Sequence, residues 1–177
     1  MSNETPDIDI VLDEQDLMAR VDKLAEVLAP RLEGEWSAIN ILIGATPFTS
    51  DLMKALARRG IHPVLDALWL ESYRDERESS GRVNVRADIT RPVEGRGVLL
   101  IDDVFDTGRT LAFARKHFLT KGAREVITVA LARKPSAPGG ADDVDYHAFD
   151  APERFLVGYG MDDKGKYRGL PYIGALD

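Results

Sequence analysis

Between Val98 and Leu111 the sequence reads VLLIDDVFDTGRTL. An apolar run delivers two adjacent acids, Asp102 and Asp103. A third, Asp106, follows, and then Thr107, Gly108, Arg109 and Thr110. Carboxylates accept hydrogen bonds, so an adjacent pair can hold the vicinal hydroxyls of a sugar. A Thr-Gly-x-Thr turn at a helix start offers free backbone N–H groups, two hydroxyls and the positive end of the helix dipole. Together these cradle a phosphate. Gly108 lets the backbone approach the phosphate oxygens closely. The pattern predicts a ribose-phosphate clamp.

Simpler readings explain less. Helix capping by Asp106 and Thr107 accounts for neither three acids in five residues nor the second threonine. Paired acids after a strand also occur where magnesium binds beside a phospho-acceptor on another strand, but neither AINILIGA nor VITVALARK supplies that acceptor. No Gly-Lys-Ser/Thr sequence is present, so this is not a Walker loop.

The elements around the clamp must present it at the edge of a sheet. Leu17, Val21, Leu24 and Leu28 recur at helical spacing, predicting a helix over Asp13 to Leu32 with Asp13 as N-cap. Ala38 to Ile43 reads as a strand buried on both faces. Thr49 or Ser50 can cap a helix running to Arg59, where Gly60 stops it. Strands are expected over Pro63 to Leu70, Val83 to Ala87, Gly97 to Ile101 and Val126 to Leu131, with a helix from about Thr110 to Lys121 before the last. Strand, helix, strand in that order implies right-handed crossovers and an α/β fold with a mostly parallel twisted sheet flanked by helices. Such sheets bind ligands outside the carboxyl ends of their strands, where the acids fall. Beyond Pro135 the chain turns rich in Pro, Gly and Asp, predicting a small lobe over 135–177 beside a core of about 35–134.

Length and composition set the outer limits. The chain has 177 residues, enough for one domain with a core of its own. It has no cysteine, which removes disulfides, thiolate metal sites and cysteine nucleophiles. Lys and Arg number 23 against 30 Asp and Glu, a net charge of -7 that argues against a nucleic-acid-binding surface. No apolar run approaches the roughly 20 residues of a membrane span, and the acidic start MSNETPDID is unlike a signal peptide. A cytoplasmic domain without membrane contact is the expectation.

VLLIDDVFDTGRTL resembles the phosphoribosyl-pyrophosphate signature of type I phosphoribosyltransferases. FLVGYGMD (Phe155 to Asp162) and KYRGLPYIG (Lys166 to Gly174) resemble the C-terminal signature of the hypoxanthine-guanine branch, and LESYRDERESSG (Leu70 to Gly81) resembles its mobile loop. The resemblance implies purine salvage, in which a phosphoribosyl group passes from phosphoribosyl pyrophosphate to an oxopurine. It implies that Asp102 and Asp103 hold the ribose hydroxyls directly or through magnesium, and that Asp106 to Thr110 grip the 5′-phosphate. Asp106 would take the proton from the purine's imidazole nitrogen. Lys134 would recognise the 6-oxo group, Phe155 would stack on the base, and the backbone of Leu156 would read its edge. Gly44, Ala45 and Arg168 would bind pyrophosphate, Asp162 would be a magnesium ligand, and Ser72 and Tyr73 would work in a lid. A homodimer or homotetramer is implied as well, and so is a hood lobe that joins part of the N-terminus to 135–177.

One turn departs from the pattern. The family usually carries Lys-Gly and a small residue after the first buried strand, often with a cis bond there. This chain has Ile43-Gly44-Ala45, which keeps the small residues and loses the lysine. The resemblance then suggests a cis Ile43–Gly44 bond.

Overall fold

The computed structural model describes residues 7–72 and 83–176. Nine strands and three α-helices follow one another along the chain among these residues: β1 (Asp9–Leu12), α1 (Glu14–Leu28), β2 (Trp36–Leu42), α2 (Thr46–Ala57), β3 (Val64–Ser72), β4 (Val83–Ala87), β5 (Gly97–Phe105), α3 (Arg109–Thr120), β6 (Glu125–Arg133), β7 (Tyr146–Asp150), β8 (Phe155–Val157) and β9 (Ile173–Leu176). Six strands form one sheet in the order β4-β3-β2-β5-β6-β7. It is parallel throughout except for β4, which pairs antiparallel with β3 at one edge. The other three strands form a small antiparallel sheet in the order β1-β9-β8.

Alternation along the central strands assigns the two faces. Leu99 and Ile101 of β5 pack with Leu17, Val21 and Leu24 of α1 and Phe48 and Leu52 of α2. Val98 and Leu100 point the other way, toward Leu111, Ala114 and Phe118 of α3. β2 is buried on both sides, as its apolar run requires. Leu12, Leu156, Ile173 and Ala175 of the small sheet join the first of these cores, so the two sheets share one apolar interior.

Several expectations shift at their edges for identifiable reasons. Asp13 caps α1 by accepting a hydrogen bond from the Asp16 N–H at 2.9 Å. The α-helix ends at Leu28, because Pro30 lacks the N–H that another turn would use, and Ala29–Arg31 tightens to a 3₁₀ turn. α2 starts at Thr46 rather than after Thr49 or Ser50, with Pro47 in its first turn, where a missing N–H is harmless. Thr49 is buried instead, and its hydroxyl donates to the side-chain Oδ1 of Asn40 on β2 at 3.2 Å. β5 runs on through Asp102 and Asp103 to Phe105, so both acids belong to the strand. Tyr146–Asp150, expected within the appended lobe, pairs parallel with β6 as an edge of the main sheet. No helix among the described residues is long and apolar enough to cross a membrane.

Candidate active site

The carboxyl end of β5 carries the acids. Asp102 is buried, only 7% exposed, and its Oδ1 accepts from the Asp103 N–H at 3.0 Å. Burial, and after it the neighbouring Asp103 carboxylate, pushes the Asp102 carboxyl well above its ordinary value. Asp103 is half-buried and accepts from the Val104 N–H at 2.8 Å. The chain then turns through exposed Asp106 and Thr107 into α3.

That turn is built for an anion. Gly108 occupies the N-cap position with φ 73, a left-handed conformation that favours glycine. No side chain caps α3, so its first N–H groups face outward with the positive end of the helix dipole. Thr107, Arg109 and Thr110 flank them. A cavity of about 650 Å³ lies along the other side of this turn, between α3 and the segment carrying Pro138 and Asp143. It shares Thr107, Gly108 and Arg109 with the cradle but reaches neither Asp102 nor Lys134.

A second turn closes on the acids from β2. A Cβ on Gly44 would overlap the Asp103 carboxylate where it lies, so a side chain here would push that carboxylate away. Ala45 is fully buried at the start of α2. Asn40 fixes that start, its Nδ2 donating to Thr46 Oγ1 at 3.1 Å while its carbonyl oxygen accepts from Thr49. Ile43 is 51% exposed at the lip of the turn. The cis bond is Leu42–Ile43, one residue earlier than the Ile43–Gly44 bond expected, and Ile43–Gly44 is trans.

The segment after β8 arrives from the far end of the chain. A Cβ on Gly160 would overlap the Gly44 carbonyl oxygen, which packs these two turns backbone to backbone. Arg168 donates from Nη1 to the Gly160 carbonyl at 2.6 Å, and its Nη2 pairs with Asp162 Oδ1 at 2.6 Å. The other Asp162 oxygen accepts from the Gly165 N–H at 2.6 Å. Asp103, Gly44, Gly160, Arg168 and Asp162 thus form one continuous chain of contacts.

Lys134 joins the main sheet to the small one. It is 7% exposed, its N–H donates to the Phe105 carbonyl at 2.9 Å, and its ammonium donates to the carbonyls of Pro152 (3.1 Å) and Arg154. Arg133 braces the following loop through Asp143, at 2.9 Å. Phe155 opens β8 with 54% of its surface exposed, and Leu156 beside it is buried. An exposed aromatic next to a buried lysine is an unusual use of both residue types. Ser72 ends β3, and Tyr73 lies outside the described residues, as does most of the expected lid.

Among the described residues no group of three or more His, Asp or Glu side chains is spaced to hold a metal ion. Asp102, Asp103 and Asp162 do offer hard carboxylate oxygens. Magnesium commonly takes one or two such oxygens and completes its shell with phosphates and water. The donor set fits an ion that arrives with a phosphorylated substrate.

Three residues that the sequence reading did not single out shape this site: Asn40, Tyr159 and Asp51. A lone amide within AINILI was a visible signal for Asn40. Tyr159 donates from its hydroxyl to Asp51 Oδ2 at 2.7 Å, a pairing across 108 residues that leaves no local trace in the sequence.

The family model of a phosphoribosyl transferase domain matches residues 8–164. The chain is 34% identical over 168 residues to the hypoxanthine-guanine phosphoribosyltransferase of Bacillus subtilis, covering 94% of this chain and 92% of that protein. It is 37% identical over 168 residues to the bifunctional protein TilS/HprT of Listeria innocua, matching 94% of this chain but spanning only 26% of that protein. The hypoxanthine phosphoribosyltransferase of Trypanosoma cruzi, solved with the product IMP, superposes with a TM-score of 0.88 at 27% identity, over 100% of this chain and 97% of that one.

Proposed function

The chain belongs to the phosphoribosyltransferase family, in its hypoxanthine-guanine branch, and from that premise we propose that it is a purine-salvage enzyme. It transfers the phosphoribosyl group from phosphoribosyl pyrophosphate to hypoxanthine or guanine. The observation that carries this reading is the strand end at which buried Asp102 and half-buried Asp103 run directly into an uncapped helix start, with the Gly44 turn packed against Asp103.

The chemistry follows from these placements. The Asp106–Thr110 turn holds the 5′-phosphate through backbone N–H groups and hydroxyls, and Asp102 and Asp103 accept from the ribose hydroxyls. Gly44, Ala45 and Arg168 take the pyrophosphate, for which the forked guanidinium can pair two oxygens. The purine's imidazole nitrogen bonds to the anomeric carbon as the bond from that carbon to pyrophosphate breaks, and the nitrogen's proton passes to the Asp106 carboxylate. With the sugar fixed at both ends, only its reacting carbon needs to move. Lys134 offers donors alone and so suits an oxo group at the purine's 6-position. Two backbone carbonyls aim its ammonium. Phe155 stacks on the base, and the Leu156 backbone reads its edge.

Magnesium held by Asp102, Asp103 and Asp162 together with the substrate would neutralise charge on the leaving group. Ser72 and Tyr73 are the working residues proposed for a lid that keeps water from the sugar. A homo-oligomer is supported by the exposed apolar residues Ile43, Leu65 and Trp69 at the β2–β3 side of the sheet, and a cytoplasmic location belongs to the same reading.

A steady-state panel of hypoxanthine, guanine, xanthine and adenine with phosphoribosyl pyrophosphate and magnesium tests this function. Turnover is expected with hypoxanthine and guanine, with adenine poorer by about 10⁴-fold and chelator abolishing the reaction. Transfer to adenine at a comparable rate, or to none of the four, would contradict it.

A further inference from the structure

The turn after β8 breaks a conformational rule. Gly158 and Met161 exchange both backbone hydrogen bonds at 3.0 Å, leaving Tyr159 and Gly160 as the two central residues of a tight turn. Their φ values are 48 and 101. Positive φ at both central positions is the pattern of a type I′ turn, which glycine, asparagine and aspartate favour. A tyrosine is disfavoured there, and something outside the turn must hold it.

That something is α2. The buried Tyr159 side chain reaches across the chain to donate from its hydroxyl to Asp51 Oδ2 at 2.7 Å. The Pro47 carbonyl lies at 3.4 Å from the same hydroxyl. Pro47 and Asp51 sit on the first turns of the helix that begins at the Gly44–Ala45 turn, so the tyrosine ties one turn of the site to the other. Gly160, next in the chain, packs on the Gly44 carbonyl, and its own carbonyl receives Arg168. Burial, and after it the bond to Asp51, pushes the phenol's pKa up, which keeps it a donor across the working pH range.

We propose that Tyr159 is a positioning residue for pyrophosphate: its hydrogen bond to Asp51 locks the Gly158–Asp162 turn onto α2, and so sets Arg168 and Asp162 against the Gly44–Ala45 backbone. This deepens the transferase reading above and rests on it. Tyr159 touches no substrate in this account. Losing its bond loosens the leaving-group side of the site and leaves the phosphate cradle and the base platform intact.

The test uses Tyr159→Phe, Asp51→Ala and their double variant in the full chain, with Asp51→Asn as the conservative substitution whose amide oxygen still accepts. Steady-state kinetics and thermal unfolding are measured on each. The KM for phosphoribosyl pyrophosphate rises about tenfold in Tyr159→Phe and Asp51→Ala, the effect of losing one hydrogen bond to a charged acceptor. Asp51→Ala also gives up the ion pair of Asp51 Oδ1 with exposed Lys54, at 2.9 Å, which is worth little. The kcat and the KM for hypoxanthine change less than about twofold. The double variant is no worse than either single one, and Asp51→Asn recovers most of the loss. If Tyr159→Phe does not fold, Asp51→Ala carries the same test from the other partner. A donor KM unchanged in both single variants overturns the positioning role alone, as does a rise in both KM values that tracks the loss of thermal stability. A wild-type chain that transfers nothing overturns the transferase reading, and this inference falls with it.

Discussion

Two turns flank the proposed substrate site, and each holds a residue in left-handed backbone conformation. At the start of α3 that residue is Gly108, φ 73, for which the conformation is free, and the helix that needs it follows directly. After β8 it is Tyr159, φ 48, held by a hydrogen bond to Asp51, 108 residues earlier in the chain. The first turn is locally encoded and would form wherever its strand and helix form. The second exists only once the small sheet has docked on α2. A phosphate group is present in every turnover and suits a cradle that is always ready. The side proposed for the leaving group combines parts from β2, α2 and the C-terminal segment, so it can be adjusted without disturbing the cradle.

The sharpest way to separate the two sides is Asp106→Asn. It keeps the cradle's backbone and removes only the proposed proton acceptor, so kcat should fall about 10²- to 10⁴-fold while nucleotide binding changes little. Unaltered turnover and pH profile would remove Asp106 from the chemistry. Next in size is Gly160→Ala, whose Cβ would overlap the Gly44 carbonyl at φ 101. Backbone cannot yield as a flexible side chain does, and a misplacement of about 1 Å costs on the order of a hundredfold in kcat/KM. Full activity would show that the two turns are not coupled as described. The matching change in the cradle, Gly108→Ala, has as its nearest neighbours the Pro138 Cγ at 3.1 Å and the Phe105 ring at 3.2 Å, side-chain atoms that need give by only a few tenths of an ångström. It should cost about 1–2 kcal/mol of stability from the left-handed backbone, read as a lower unfolding midpoint, with a modest rise in the donor KM.

The smallest effect concerns the buried acid. Because the folded chain raises the Asp102 pKa, folded protein binds that proton more tightly than unfolded chain does. Ionised Asp102 therefore costs stability above its raised value, and the cost fades as pH falls toward the ordinary 3.8. Asp102→Asn should raise the melting temperature of the ligand-free protein at neutral pH, with the difference from wild type closing below about pH 4. A difference constant across pH would mean that burial does not govern this carboxyl.

The cradle could be read from the sequence because its chemistry lies within VLLIDDVFDTGRTL, and each of its demands is met by a neighbour in the chain. The parallel sheet was equally open, since buried strands are apolar on both faces. Less could be read where the decision was tertiary. Thr49 and Ser50 look like caps, yet α2 begins three residues before Thr49, because Asn40 engages the hydroxyls of both Thr46 and Thr49 from a neighbouring strand. Tyr146–Asp150 is short and polar at His147 and Asp150, and only its pairing with β6 makes it a sheet edge. FLVGYGMD drew attention to Phe155 and Asp162, while its tyrosine gained meaning only through Asp51.

A crystal structure with bound inosine monophosphate tests the central claim most directly. The account predicts phosphate oxygens about 2.7–3.1 Å from the backbone nitrogens between Thr107 and Thr110, with the ribose hydroxyls against Asp102 and Asp103. A phosphate bound elsewhere, with the Gly108 turn left empty or folded closed, would contradict it.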